Sequence, residues 1–236
     1  MPEKNITVLA DIPFKLDIND LLKQNHIKEG TDNAVDFQNL VKMAEKTGKP
    51  KILFKWCFIN KKDRDTVSID RTAFKSHVLR KKLDSIERVF AYVVTCGKEV
   101  DTIEIPQGDY LKEYWLDTIK QALLDFSRKY LEEHLSKKYN INKTASMQPG
   151  SGDISVWPIE QQKELFSLFG DVGDVEKFIG VRLTESFLMF PVKSISGIIF
   201  PTQIDFKSCE LCYRKKCPRR RLPFNKDLWQ SMQPIN

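Results

Sequence analysis

The sequence predicts an α+β fold, and three observations support this prediction. The chain has 236 residues, 41% of them apolar, which is enough for one full hydrophobic core or two small ones. Segments with the composition of strands and segments with helical periodicity are mixed along the chain. Their order lacks the regular strand and helix alternation of a parallel α/β sheet, so an α+β fold is favoured.

The first strong helix signal is the segment TDNAVDFQNLVKMAEKTGKP. Thr31 and Asp32 are suitable capping residues, and the apolar positions between 37 and 44 recur at helical spacing. Gly48 and Pro50 end the pattern. We therefore expect a helix that begins near residue 32 and stops before the glycine.

Three strands are expected next, because their segments are rich in β-branched and aromatic residues. They are KILFKWCFI, DTVSID and RVFAYVVTCG. In the first of them, alternation places one apolar set, Phe54, Trp56 and Phe58, on one face and a second set, Leu53, Cys57 and Ile59, on the other. Both faces of this strand are predicted to be apolar.

The longest periodic stretch runs from Asp109 to Tyr139, which predicts a helix of roughly eight turns. Its expected buried stripe consists of Trp115, Ile119, Ala122, Phe126 and Tyr130. The segments WPIEQQKELFSLFG and DVEKFIG predict two shorter helices. The final pair, VRLTESFLMF and SISGIIF, is expected to form an antiparallel hairpin joined by PVK.

Composition also bounds the location of the protein. The chain has no run of about 18 apolar residues, and its N-terminus, MPEKNITVLADIP, lacks the basic start and apolar core of a signal peptide. We expect a cytoplasmic protein with no membrane segment. In a reducing cytoplasm, the five cysteines are expected to be thiols or metal ligands, since disulfides are rare there.

The net charge of +6 is concentrated in one place. Residues 207–221 contain seven Lys or Arg and one Glu, and the rest of the chain is neutral. A nucleic-acid-binding domain usually spreads basic residues over a folded face, so a nucleic-acid partner is not expected. The charge instead surrounds the cysteines, where it would offset thiolate charge or steer an acidic protein partner.

Three cysteines lie close together in the motif Cys209-x-x-Cys212-x-x-x-x-Cys217. Thiolates are soft donors that suit iron–sulfur clusters or zinc. A 4Fe–4S cluster is favoured because a Cys-Pro pair ends the motif, as at bacterial ferredoxin ligands. A structural zinc site, metal-free thiols and a merely solvated basic tail remain alternatives.

Three thiols need a fourth ligand, and Cys57 and Cys96 are the remaining cysteines. Cys96 is predicted to be the ligand because it ends a strand beside Gly97, where the backbone can turn. Cys57 lies in mid-strand among aromatic residues, a position typical of an inert core thiol.

The stretch IGVRLTESFLMFPVKSISGIIF resembles the activation domain of cobalamin-dependent methionine synthase, and the resemblance extends back through PGSGDISVWPIEQQKELFSLFG. It implies a twisted antiparallel sheet with flanking helices. We expect a body over residues 1–206, with the Cys-rich basic segment 207–236 packed on it. In that family the domain binds S-adenosylmethionine, which supplies a methyl group when inactive cob(II)alamin on a neighbouring module is reduced and remethylated.

The family's ligand loop reads Arg-x-x-x-Gly-Tyr, and the candidate cofactor-binding residues here are Ser146, Pro149, Gly150 and Ser151. Ser146 stands where the family has Arg, and Ser151 stands where it has Tyr. Serine cannot pair bidentately with a carboxylate as arginine does, so binding of S-adenosylmethionine is predicted to be weak. The backbone of Pro149 and Gly150 can still shape a pocket.

The chain lacks a cobalamin signature of its own. The base-off motif is Asp-x-His-x-x-Gly, and the nearest match, at His26, has Gln24 and Glu29 in the required Asp and Gly positions. A corrinoid, if one is involved, is therefore expected on a partner, either a corrinoid protein or a corrinoid methyltransferase. The leading hypothesis is an accessory protein of such a system, acting in docking or in electron transfer from a further donor, with no catalytic residues assigned. The alternative is a non-redox adaptor with structural zinc and a basic tail for an acidic partner or nucleic acid.

Overall fold

An antiparallel sheet of seven strands forms the centre of the fold. The structure is a computed structural model and describes residues 5–153, 155–217 and 220–232. The strand order is β4-β3-β2-β5-β9-β6, and β1 pairs with the first half of β2. The strands are β1 (Ile6–Leu9), β2 (Lys51–Lys62), β3 (Thr66–Ile69), β4 (Thr72–Lys75), β5 (Arg88–Thr95), β6 (Thr144–Met147) and β9 (Ser194–Pro201). Two short strands, β7 (Arg182–Leu183) and β8 (Met189–Phe190), pair separately.

Helices cover both faces of this sheet. They are α1 (Ile18–Gln24), α2 (Asp32–Thr47), α3 (His77–Lys82), α4 (Tyr110–Tyr139), α5 (Gln162–Ser167), α6 (Asp174–Ile179) and α7 (Lys226–Ser231). The expected caps of α2 are confirmed, since the Thr31 hydroxyl accepts a hydrogen bond from Ala34 N at 3.3 Å and Gly48 follows the last turn. Among the helices in the described part of the chain, none is long and apolar enough to cross a membrane.

Two hydrophobic cores lie on opposite sides of the sheet, because side chains alternate along its strands. Phe54 of β2 packs with α1, α2 and α4, whereas Leu53 and Cys57 pack with α3, α5 and α6. This confirms the two apolar faces predicted for β2, except that Phe58 is exposed. In β5 every residue after Arg88 is buried, which explains its continuous apolar run.

The buried stripe of α4 differs in part from the expected one. Trp115 and Ile119 are buried as predicted, but Phe126 and Tyr130 lie on a half-buried flank. Phe126 there faces the ring of Phe14, with 6.3 Å between centroids. The fully buried apolar positions further along the helix are Leu123, Leu131 and Leu135.

The predicted hairpin between residues 181–190 and 194–200 is wrong. The first segment folds back on itself, because Thr184 N donates to Leu188 O at 2.8 Å and the Thr184 hydroxyl accepts from Leu188 N at 3.1 Å. The second segment, β9, inserts between β5 and β6. That central position suits its run of apolar residues, which a hairpin with a solvated partner would leave half exposed.

Candidate functional site

A cleft of about 1160 Å³ lies between α4, the loop after β6 and the C-terminal segment. One wall is a face of α4, and the second is formed by the loop after β6 and the chain entering β9. The third wall belongs to the C-terminal segment, residues 207–236. Its lining residues are Ser208, Cys209, Cys212, Arg214, Cys217, Arg220 and Arg221. The α4 wall consists of Tyr114, Thr118, Gln121, Leu124, Asp125 and Arg128.

The Gly150 loop, residues 148–152, connects β6 to the residues before α5. Gly150 has a φ of 73°, a left-handed conformation that favours glycine, and its N–H donates to Trp157 O at 2.8 Å. A Cβ atom at Gly150 would lie 2.9 Å from Ile159 Cβ, so the position also needs glycine for space. Gln148 Nε2 donates to Tyr92 Oη at 2.9 Å, which ties the start of the loop to β5.

The four candidate cofactor residues are distributed unevenly around this loop. Gly150 and Ser151 line the cleft, and Pro149 is buried behind it. Ser146 instead lines a small neighbouring recess, together with Arg128 and Arg221. Two arginines from elsewhere in the chain therefore border the recess that contains Ser146.

The three clustered cysteines all line the cleft. Cys209 lies in a single 3-10 turn (Ser208–Leu211), Cys212 follows that turn, and Cys217 comes five residues later. All three are half-buried. Cys212 packs on the Gly150 loop, since a Cβ atom at Gly152 would lie 3.3 Å from Cys212 Cβ and 3.7 Å from its Sγ.

Arg220 holds this part of the C-terminal segment together. Its guanidinium donates to the carbonyl oxygens of Cys209 and Cys212 at 3.1 Å, to Leu222 O at 3.2 Å and to Arg214 O. A guanidinium has five N–H donors in a fixed plane, and here they satisfy the turns that carry two of the thiols. Arg220 is therefore a structural residue, and sequence spacing gave no sign of it.

Positive charge dominates the cleft. Among the described lining residues there are five cationic side chains, Arg128, Lys193, Arg214, Arg220 and Arg221, and one carboxylate, Asp125. Burial by itself would raise the pKa of the Cys209 thiol, but hydrogen bonds from Arg221 and its charge outweigh burial and lower that pKa. The arrangement favours anionic groups, including thiolates.

Cys96 is not brought to the other three thiols. It is 1% exposed in the core beside α4, its thiol donates to Gly97 O at 3.4 Å, and burial raises its pKa to about 12. Its backbone N–H donates to Lys193 O at 3.0 Å, which holds the strand end in place. The expected turn of Cys96 out of the sheet does not occur, and its position disfavours its role as the fourth ligand.

Cys57 is fully buried in the opposite core, where burial raises the pKa of its thiol. Within residues 5–153, 155–217 and 220–232, no three His, Cys, Asp or Glu side chains are grouped so that they could hold a metal ion. Pro218, which follows the last cysteine of the motif, lies outside the described residues.

The curled antiparallel sheet, the flanking helices and the Gly150 loop beside a cleft define an α+β domain with a concave site at the end of β6. The model of the family described as vitamin B12 dependent methionine synthase, activation domain, matches residues 33–206, and the chain belongs to this family. The resemblance seen in the sequence is thereby confirmed. The family match ends before the C-terminal segment, so the three clustered cysteines lie beyond it.

Comparison with solved structures confirms the fold class. The protein is similar to the MetH reactivation domain, whose crystal structure was determined with bound AdoHcy, with a TM-score of 0.57 and 20% sequence identity. The similarity covers 86% of this chain and 81% of that chain. No curated protein matches the sequence significantly.

Proposed function

We propose that this protein is an accessory protein of a corrinoid-dependent methyltransferase and docks on the corrinoid protein at the cleft. The observation that carries this proposal is the activation-domain match over residues 33–206, which includes the Gly150 loop. The corrinoid would be brought by the partner, because the chain lacks the Asp-x-His-x-x-Gly signature.

The basic part of the C-terminal segment would guide this docking. Arg214, Lys215 and Lys216 are exposed, and Arg214 also lines the cleft. Long-range attraction between exposed charges raises association rates and is screened over about 8 Å at physiological ionic strength. The double variant Lys215→Ala/Lys216→Ala should slow association with a corrinoid protein at low salt, measured by surface plasmon resonance. Lys129→Ala/Lys137→Ala on α4 is the matched control, and equal slowing in both would argue against this docking surface.

The cleft thiols would carry an iron–sulfur cluster that passes electrons to the bound corrinoid. In support, Cys209, Cys212 and Cys217 line one wall, and the surrounding arginines would offset the negative charge of a thiolate-bound cluster. The three thiols are not grouped to hold a metal as they stand, so binding would require the turns that carry them to move as well as their side chains. The competing proposal is a closed structural zinc site in a non-redox adaptor.

Metal and acid-labile sulfide analysis of anaerobically purified protein separates these proposals. A brown protein that absorbs at about 400 nm and contains iron and sulfide would support the cluster. Cys209→Ser and Cys212→Ser should each lose the metal, and Cys57→Ala is the control that removes a core thiol. Stoichiometric zinc in a colourless protein would support the adaptor, and protein without metal would refute both.

Binding of S-adenosylmethionine in the cleft is proposed to be weak. The solved relative has AdoHcy bound, but here Ser146 and Ser151 replace the two side-chain anchors of the family loop. Loss of a bidentate charged contact costs on the order of 2 to 3 kcal/mol, or roughly a hundredfold in affinity. Titration calorimetry should give a dissociation constant well above the micromolar range, and a low micromolar value would contradict this proposal and favour a methylating role.

A further inference from the structure

We propose that Cys209 and Cys212 form a redox-active dithiol, which exchanges with anionic low-molecular-weight disulfides in the cleft. Cys209 is the attacking thiolate, and Cys212 is the thiol that resolves the mixed disulfide. This activity goes beyond the accessory function proposed above. It needs no metal, because it belongs to the protein whose cleft thiols are free.

The turn that carries the two thiols brings them within reach of one disulfide bond. Cys212 N–H donates to Cys209 O at 3.2 Å, which closes a four-residue turn at the end of the 3-10 helix (Ser208–Leu211). Such a turn holds its first and fourth Cα atoms less than about 7 Å apart, and a disulfide spans about 4.4 to 6.8 Å between Cα atoms. In 3-10 geometry the side chains at these two positions point the same way, and here both line the cleft. The bond can therefore form with little movement of the backbone.

Arg220 fixes the backbone on both sides of this turn. Its guanidinium donates to Cys209 O and to Cys212 O, each at 3.1 Å. Cys217 belongs to a different turn, which is closed by the bond from Arg220 N–H to Cys217 O at 3.1 Å. Because Cys217 lies outside the turn that closes on Cys209, Cys212 is assigned as the resolving thiol.

The surroundings of Cys209 favour the thiolate that exchange requires. Its sulfur accepts hydrogen bonds from the backbone N–H groups of Arg221 and Leu222 and from the Arg221 side chain. Burial acts to raise the pKa of this thiol, but these hydrogen bonds and the charge of Arg221 lower it overall. Cys209 is therefore assigned as the nucleophile.

The charge of the cleft selects the class of disulfide. Five of its described lining residues are cationic and one, Asp125, is a carboxylate. Arg128 and Lys193 lie on the two walls that face the thiols, so a disulfide whose two ends carry carboxylates is attracted on several sides. Small-molecule pockets commonly measure about 300 to 1,000 Å³, and this cleft, at about 1160 Å³, has room for a peptide-sized disulfide.

The exchange takes place in two balanced steps. The Cys209 thiolate attacks one sulfur of the substrate disulfide, whose S–S bond breaks, and one half leaves as a thiolate. Cys212 then loses its proton to solvent and attacks the Cys209 sulfur, which releases the second half as a thiolate. The substrate gains two electrons and becomes two thiols, and the protein loses two electrons and keeps one disulfide.

Glutathione disulfide, which carries carboxylates, is the probe, and cystamine, a cationic disulfide, is its matched control. The full chain is first reduced and freed of metal with a chelator. Glutathione disulfide should give one intramolecular disulfide, which peptide mass spectrometry should locate between Cys209 and Cys212. At low salt this reaction should be at least about tenfold faster than the reaction with cystamine, because the cationic cleft attracts one probe and repels the other. A disulfide that includes Cys217, or equal rates with the two probes, would overturn the proposal.

Variants test the order of the two steps. Cys212→Ser should stop the reaction at the mixed disulfide, so that one glutathione remains on Cys209. Cys209→Ser should slow the first step by at least about tenfold, because the favoured thiolate is lost. Cys57→Ala, which removes a core thiol, is the control and should react like the wild type. Glutathione on another cysteine of Cys212→Ser, or equal slowing in Cys57→Ala, would overturn the proposal. Metal analysis of the purified protein tests the cluster proposal separately, so each can fail without the other.

Discussion

Thiol reactivity provides the most direct test of how the structure divides the five cysteines. We expect metal-free protein at pH 8 to be alkylated by iodoacetamide at Cys209, Cys212 and Cys217, while Cys57 and Cys96 stay unmodified. The first three line an open cleft and are half-buried. The other two lie in the cores.

The expected difference can be worked from Cys96. Burial raises its pKa from an ordinary 9.0 to about 12, so at pH 8 its thiolate population falls about a thousandfold. Because only the thiolate attacks the reagent, this fall slows alkylation, although the more basic thiolate is also more nucleophilic and offsets part of it. The 1% exposure of Cys96 restricts access further. Cys209 differs in the opposite direction, since Arg221 lowers the pKa of its thiol.

Timed quenching followed by peptide mass spectrometry measures each site separately. The three cleft cysteines should be alkylated in the fast kinetic phase. All five cysteines should be alkylated in denaturant, which is the control for access of the reagent. Alkylation of Cys96 within tenfold of the rate at Cys209 would refute this assignment of buried and cleft thiols. On the proposal of a cluster, iron-loaded protein should in addition protect the three cleft sites, because thiolates that ligate iron are not free to react.

Three further predictions concern the residues that shape the site. Gly150→Ala should lower the free energy of unfolding by about 1 to 3 kcal/mol more than Gly30→Ala in urea titrations, because both glycines have positive φ but a Cβ atom clashes only at Gly150. Lys55→Met should lower the free energy of unfolding by about 3 kcal/mol in the same assay, because the partly buried Asp70 carboxylate loses the ammonium group that now lies 3.1 Å away. A stability equal to wild type would contradict this prediction. Arg220→Ala should speed amide hydrogen exchange in residues 208–222 and leave the exchange of β5 unchanged, and uniform exchange across the chain would show that Arg220 does not act locally.

Local signals in the sequence were sufficient for several elements. The N-cap at Thr31 and the stop at Gly48 set the ends of α2, because capping depends on a few neighbouring residues. The alternation in β2 also predicted correctly which side chains face each core. The fifty residues before Pro201 carried enough specific sequence to place the chain in its family.

Strand pairing and the composition of the cleft depended on the tertiary structure. The strand β9 pairs with β5, about a hundred positions earlier in the chain, so its place in the sheet depends on contacts that no local pattern encodes. The same holds for the cleft, whose walls come from α4, the Gly150 loop and the C-terminal segment. Cys96 illustrates the limit most clearly. Its position at a strand end suggested that the thiol is available to a metal. The direction of a side chain at a strand end depends on which face of the sheet packs against neighbouring elements, and here packing places the Cys96 side chain in the core.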